Sequence, residues 1–267
     1  MKRKSAPSVR AAARRARTEL QAMARPSGHF DASRYFRAAD HLKFFNVGTT
    51  RVRGLARSIA REHQHDWTVD DAAAFAEILV RDPVLEVKSV GLEVLARYRG
   101  SFHPALLAVW KRWLAADHAS NWATTDLMCG MLIGPLLVAH PRLARQVASW
   151  SRHRNMWVRR ASAVALIPLL RRGQKFDLGY RVAARLHADS EDLIQKAVGW
   201  MLREAGKYDA RALERYLRKA GPAIPRTTVR YAIERFDPAK RLSLLAATRP
   251  RRAIAAPGSR ALVRPRH

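Results

Sequence analysis

The chain has one cysteine in 267 residues, which excludes an internal disulfide framework and suits a reducing compartment. Cys129 reads as a small buried hydrophobe beside an apolar run, where free thiols commonly sit. Long hydrophobic runs are missing too: no segment reaches the ~18 to 20 uninterrupted apolar residues that span a bilayer. The nearest, Leu127 to Ala139, is too short and contains Pro135. The N-terminus lacks the apolar core of a secretory signal, although its Arg-, Ala- and Ser-rich, acid-poor character imitates a transit peptide. A basic extension of a cytoplasmic, nucleoid-associated protein is the expectation. No glycine-rich phosphate loop, paired nuclease acids or Ser/His/Asp signature stands out. The ten histidines are scattered. His63 and His65 alternate without a third ligand at metal-site spacing and read as a solvated loop. These absences argue against an ATPase, a two-metal nuclease and a triad hydrolase, and no metal or other cofactor is expected.

Acids are scarce as well. Asp+Glu 22 stands against Lys+Arg 50, a net charge of +28. Residues 1–27 carry eight cations and one acid, and residues 248–267 six arginines and no acid, so +15 remains on the body between them. The natural partner of such a chain is a polyanion, with nucleic acid ahead of an anionic membrane surface. The 48% hydrophobic content suffices for a sizeable core.

Helical signals recur along that body with short linkers and no convincing alternating strand. Val9 to Ala24 reads as an Ala/Arg helix ended by Arg25-Pro26-Ser27-Gly28, after disordered residues 1–7. A short helix is expected around Asp31 to Ala38. Thr49 starts a helix to about Glu62 with Arg51, Arg53, Arg57 and Arg61 set among apolar residues. Further helices are expected from Val69 to Val80 and Val84 to Tyr98, from His103-Pro104 onward, and over Asn121 to Ala139, the last kinked by Pro135. Then come Pro141 to Trp150, Met156 to Arg172, Asp177 to Ala188, Asp192 to Glu204, Ala210 to Lys219, Thr227 to Arg235 and Pro238 to Ala247. Residues from Thr248 onward read as a disordered basic tail. Helix pairs at roughly 35 to 45 residues are the mark of a HEAT-like solenoid, in which no pair buries its face without a neighbour. The repeat is degenerate, so periodicity alone supports an all-α chain of stacked helix pairs.

Three stretches pair tryptophan with charge. Asn121 to Gly130, NWATTDLMCG, sets Trp122 and Asp126 four residues apart, side by side on a helix face. Met156-Trp157-Val158-Arg159-Arg160 and Ile194 to Glu204, IQKAVGWMLRE, follow. Together they resemble the HEAT-like-repeat DNA alkylation-repair family, the AlkD type of DNA glycosylase, in its motif order and at plausible intervals. The ten-residue Gln-Lys-Ala-x-Gly-Trp-x-Leu-Arg-Glu match is the specific one. A looser likeness runs from about Tyr35 to about Leu245.

The resemblance implies an all-α curved solenoid over residues 28–247 with a concave basic groove, flanked by basic segments 1–27 and 248–267 that lie outside the recognised pattern. It implies excision of alkylated, cationic purines such as 3-methyladenine and 7-methylguanine from duplex DNA, in base excision repair, by a monomer. Breaking a glycosidic bond builds positive charge on the sugar, and a carboxylate and aromatic faces answer that charge. In the family's pattern those are Asp126, which also positions water, with Trp122 and Trp200. An alkylated purine is already cationic and leaves without protonation, so one carboxylate suffices. The resemblance further implies that the damaged base stays stacked, unlike the pocket mechanism of most base-processing enzymes. Phosphate contacts fall to Arg160, Arg159, Arg203 and Lys196, and an aromatic lining the cleft to Tyr35. Without the family match, Asp126 reads as a carboxylate facing a helix dipole and the tryptophans as packing residues; Trp157 keeps that packing reading. The rival function is a non-catalytic HEAT-type module for unusual DNA structures or an acidic protein.

Overall fold

The computed structural model describes residues 9–26, 35–36 and 42–249. The expected helix around Asp31 to Ala38, apart from Tyr35 and Phe36, and most of both tails lie outside them. The described chain is all-α, and its one extended pairing is an isolated bridge between Lys43 and Val84. In order the helices are α1 (Val9–Ala22), α2 (Thr49–Glu62), α3 (Val69–Val80), α4 (Leu85–Leu95), α5 (Leu106–Ala115), α6 (Trp122–Met128) and α7 (Gly134–Ala139). There follow α8 (Ala144–Ser149), α9 (Met156–Val164), α10 (Ile167–Leu170), α11 (Phe176–Leu186), α12 (Asp192–Tyr208), α13 (Ala210–Ala220), α14 (Arg226–Ala232) and α15 (Pro238–Ala247).

Short polar side chains set where many of these begin. Thr68 Oγ1 accepts from Asp71 N at 3.2 Å while the Asp71 carboxylate accepts from Thr68 N at 2.8 Å, a reciprocal cap that satisfies two orphan donors of α3. Asn121, Asn155, Asp209 and Asp237 cap α6, α9, α13 and α15, each side chain accepting from a backbone N–H of the first turn. Each such cap stabilises its helix by about 1 kcal/mol.

Alternate helices pack into a row: α2 on α4, α4 on α6, α6 on α9, α9 on α12 and α12 on α14. The others lie against that row, α3 on α4, α5 and α8 on α9, α11 and α13 on α12. Two glycines permit close approaches between helices. A Cβ on Gly134 would stand 2.5 Å from Pro168 Cγ, so α7 and α10 can meet only without one. A Cβ on Gly199 would overlap Tyr231 and lie 2.8 Å from Thr228 O, which is how α14 is drawn against α12. Thr228 Oγ1 donates to Gln195 O at 3.0 Å across the same crossing.

The expected helix over Asn121 to Ala139 is present from Trp122 onward and stays helical through Pro135, because a wide π turn at Cys129–Ile133 immediately precedes it, and Gly134 N donates to Cys129 O. Pro135 has no N–H to offer, and the wider turn absorbs the lost bond without ending the helix. Other expectations need correction. The expected single helix Met156 to Arg172 breaks after Val164 and resumes as α10, with Pro168 at its start. The expected Val84 to Tyr98 helix ends at Leu95 and tightens into a 3₁₀ segment, Ala96–Ser101. His63 is buried, not solvated: it stacks on Trp67 at 4.0 Å and 2°, and burial lowers its pKa.

Cys129 is buried, as are Trp67, Trp110, Trp113, Trp150 and Trp157. The 18 residues Trp122–Ala139 are long and apolar enough to cross a membrane by length and composition. Half of that window is buried inside the protein, in the middle of the row.

Candidate functional site

The site is built on the start of α6. Asn121 is fully buried, its Oδ1 accepting from Thr124 N at 2.8 Å and its Nδ2 donating to Thr124 Oγ1 at 2.9 Å. Thr125 Oγ1 donates to Ala119 O at 2.8 Å. These bonds fix the first turn, so Trp122 becomes the first helical residue and Asp126 follows one turn later.

Trp122 stands half-buried. Its ring stacks on Phe36 at 5.3 Å and 13°, and its indole Nε1 donates to Tyr35 O at 3.0 Å. Phe36 in turn meets Phe44 at 5.4 Å. The chain between α1 and α2 is thereby tied to α6, 87 residues away in sequence.

Asp126 is held by Arg160 of α9 in a two-pronged pair, Nε to Oδ1 at 2.8 Å and Nη2 to Oδ2 at 2.7 Å. The remaining guanidinium nitrogen, Nη1, donates to Leu193 O at the start of α12. One arginine therefore joins α6, α9 and α12. Burial raises the Asp126 carboxyl above its ordinary value, and the Arg160 charge and hydrogen bonds oppose that rise. A guanidinium stays charged at every accessible pH, so Arg160 favours the ionised carboxylate against the burial that disfavours it. Cys129, one turn on, is pushed far up by burial and then by Asp126, and remains a thiol.

In front of this pair opens a cleft of about 640 Å³. Tyr35, Phe36, Trp122, Arg160 and Tyr231 line it together with Asp192, Leu193, Lys196, Trp200 and Arg203 of α12. Trp122 and Trp200 thus share one cavity, as the motifs lead one to expect. Asp126 stands behind Arg160, with 17% of its side chain exposed.

The nominated cations are all engaged. Arg160 is 5% exposed and, from the cleft wall, donates to Asp126 and to Leu193 O. Arg159 binds Asp189 at 2.7 Å and the carbonyls of His153 and Arg154, which ties down the turn before α9 and keeps it off the cleft wall. Lys196 pairs with Asp192 at 2.7 Å and Arg203 with Glu234, both at the cleft. Glu204, the last residue of the third motif, is structural: Arg171 and Lys207 bind it at 2.8 and 2.7 Å.

Phe36 and Tyr231 belong to the cleft but carry no signal in the three motifs. Phe36 follows Tyr35 directly, and Tyr231 is brought in by the Gly199 crossing, so the glycine before Trp200 was the available clue. Among the described residues no group of three or more His, Cys, Asp or Glu could hold a metal ion.

An all-α protein with a row of packed helices, an aromatic cleft and an arginine-held carboxylate is what the fold and site define. The sequence profile of the DNA alkylation repair enzymes matches residues 16–236, and the chain belongs to that family. No curated protein matches it. A solved structure described as a predicted DNA alkylation repair enzyme from Enterococcus faecalis superposes with a TM-score of 0.68 over 77% of this chain and 93% of that one, at 17% identity, and shares its fold. The family gives this chain a role as an enzyme of DNA alkylation repair, with DNA as its partner.

Proposed function

We propose that the protein is a DNA glycosylase that releases alkylated, cationic purines, 3-methyladenine and 7-methylguanine among them, as the opening step of base excision repair. The observation that carries this is the joint placement of Trp122 and Trp200 on one cleft with the Asp126–Arg160 pair behind it. As the bond from sugar to base breaks, the sugar becomes an oxocarbenium ion. Indole faces at 122 and 200 attract that cation, and a carboxylate nearby lowers its energy further. A carboxylate offers about four lone-pair sites, and Arg160 occupies two. The others are available to orient a water for attack on the anomeric carbon. The substrate supplies its own positive charge, so no general acid is needed.

In this reading residues 28–247 form a curved HEAT-like solenoid, and the row from α2 to α14 presents its concave face to duplex DNA. The protein acts as a monomer beside the nucleoid, without a cofactor. One observation favours the rival, a binding-only module: Asp126 is occupied by Arg160 and set back from the cleft wall. A duplex oligonucleotide carrying one 7-methylguanine separates the two. Base release by the wild type and its loss in Asp126→Asn supports the glycosylase; salt-sensitive binding without release, unchanged by the substitution, leaves the binding module.

A further inference from the structure

Several described cations hold carboxylates: Lys196 with Asp192 and Arg203 with Glu234 at the candidate cleft, Arg171 with Glu204, and Arg218 and Lys240 with Glu214. Arg142, Arg145, Lys175 and Arg181 do not. They converge from α8 and the turn before it, and from α11 and the residue before it, onto a cavity of about 810 Å³. None of the four lies within ion-pair distance of a carboxylate among the described residues, and Asp177 is the one acid on the wall. The wall shares no residue with the candidate cleft, and neither α8 nor α11 is in the helix row that carries it.

A run of exposed cations is ordinarily a solvated face. This arrangement differs because two separate segments bring four like charges around one concavity, where low-dielectric walls focus the field and mutual repulsion is relieved by a bound anion. Arginine forks match the two oxygens of a phosphate. The cavity also has apolar surface, with Ala144 and Leu178 buried and the Phe176 ring half-buried at its edge. Cations beside apolar and aromatic side chains suit a sugar-phosphate chain, whose phosphates meet the cations and whose sugars or bases meet the apolar surface.

We propose that this cleft between α8 and α11 is a second nucleic-acid site, holding a stretch of strand backbone separate from the DNA in the candidate cleft. It rests on the family's DNA partner and not on the glycosylase reading. One protein molecule thereby holds two DNA segments, which would keep it on a chromosome while the reaction cleft samples bases.

The test uses the full chain, so that the basic tails contribute equally to every arm. Binding of lesion-free duplex is followed by analytical ultracentrifugation across a salt series, for the wild type, for Arg142→Gln/Arg145→Gln/Arg181→Gln, and for the same three positions changed to Lys. The wild type binds two DNA equivalents. The Gln variant loses the second, and the salt slope of total binding falls by about 3, near 0.9 for each phosphate contact removed. The Lys variant keeps the second event, which separates charge from fold. Release of 7-methylguanine, where the wild type shows it, is unchanged in the Gln variant. The same stoichiometry and slope in the wild type and the Gln variant overturns the proposal. Thermal stabilisation of the wild type alone by inorganic tripolyphosphate, with one DNA equivalent bound by each protein, also overturns it and assigns the cavity to free polyphosphates.

Discussion

Arg160 grips Asp126 with two parallel hydrogen bonds across 34 residues of sequence, and its third nitrogen reaches Leu193 O. The carboxylate around which the proposed reaction turns is thus aimed by a side chain that is itself locked on both sides.

Arg160→Met should show that lock in two readouts. Leaving a buried carboxylate without its partner costs about 3 to 5 kcal/mol, measurable by urea unfolding. Burial raises the Asp126 carboxyl and Arg160 opposes the rise, so removing Arg160 moves the carboxyl further up. The acid limb of the base-release profile should then shift to higher pH in the variant. An unshifted limb with the stability loss intact would mean that Asp126 ionisation does not control the reaction.

Gly199→Ala should disturb α12 against α14. The new methyl group meets Thr228 O and Tyr231 with no flexible end to yield, and forced overpacking costs typically 1 to 3 kcal/mol. Chemical denaturation reads the loss. Because Tyr231 lines the cleft beside Trp200, DNA affinity should fall with it, whereas Gly130→Ala, where a Cβ meets nothing within 4 Å, should leave both unchanged.

Lys88 should make the protein more stable in mild alkali. Its ammonium is buried and donates to Val80 O at 2.6 Å and His118 O at 2.8 Å, and burial brings its pKa down to about 8 from 10.5, with Asp82 opposing. The folded value lies below the unfolded one, so between about pH 8 and 10.5 the unfolded chain binds more protons and stability rises with pH. The gain is on the order of 3 kcal/mol. Unfolding free energies of wild type and Lys88→Met, compared at pH 7.5 and 10, should diverge by an amount of that order; parallel behaviour would refute it.

Glu204 should act at the acid end. Burial alone would raise its carboxyl, yet the hydrogen bonds from Arg171 and Lys207 outweigh burial and hold it below the ordinary 4.5. A depressed carboxyl stabilises the fold above the unfolded value, and that stability fades as pH falls below it. Melting temperatures of wild type and Glu204→Gln should therefore converge on acidification from neutral pH toward 3.

Much of this was legible in the chain because it depends on local chemistry. The starts of α3 and α15 follow from Thr68 and Pro238, whereas Thr49 is the first residue of α2 and caps nothing, its N-cap being Gly48; the shared cleft of Trp122 and Trp200 agrees with the motif pattern. What could not be read is what depends on distant partners. One proline, Pro168, sits at the start of a new helix after a break, while Pro135 is absorbed within a continuous one, and the π turn that precedes Pro135 makes the difference. Arg160 looks identical in sequence to a phosphate ligand. Only the approach of α6 and α12 commits it to Asp126 and Leu193. His63 looked solvated because its stacking partner Trp67 lies beyond the end of α2, and the chain must turn there before the rings can meet.

The ion pairs at the cleft have one more effect. With Asp192 and Glu234 already seated on Lys196 and Arg203, the groove carries stand-ins for phosphate, and arriving DNA must exchange places with them. Under the proposed glycosylase reading, DNA entering the cleft gives back part of its electrostatic gain in displacing those carboxylates, so its hold there is set by an exchange of partners and not by the protein's net charge alone.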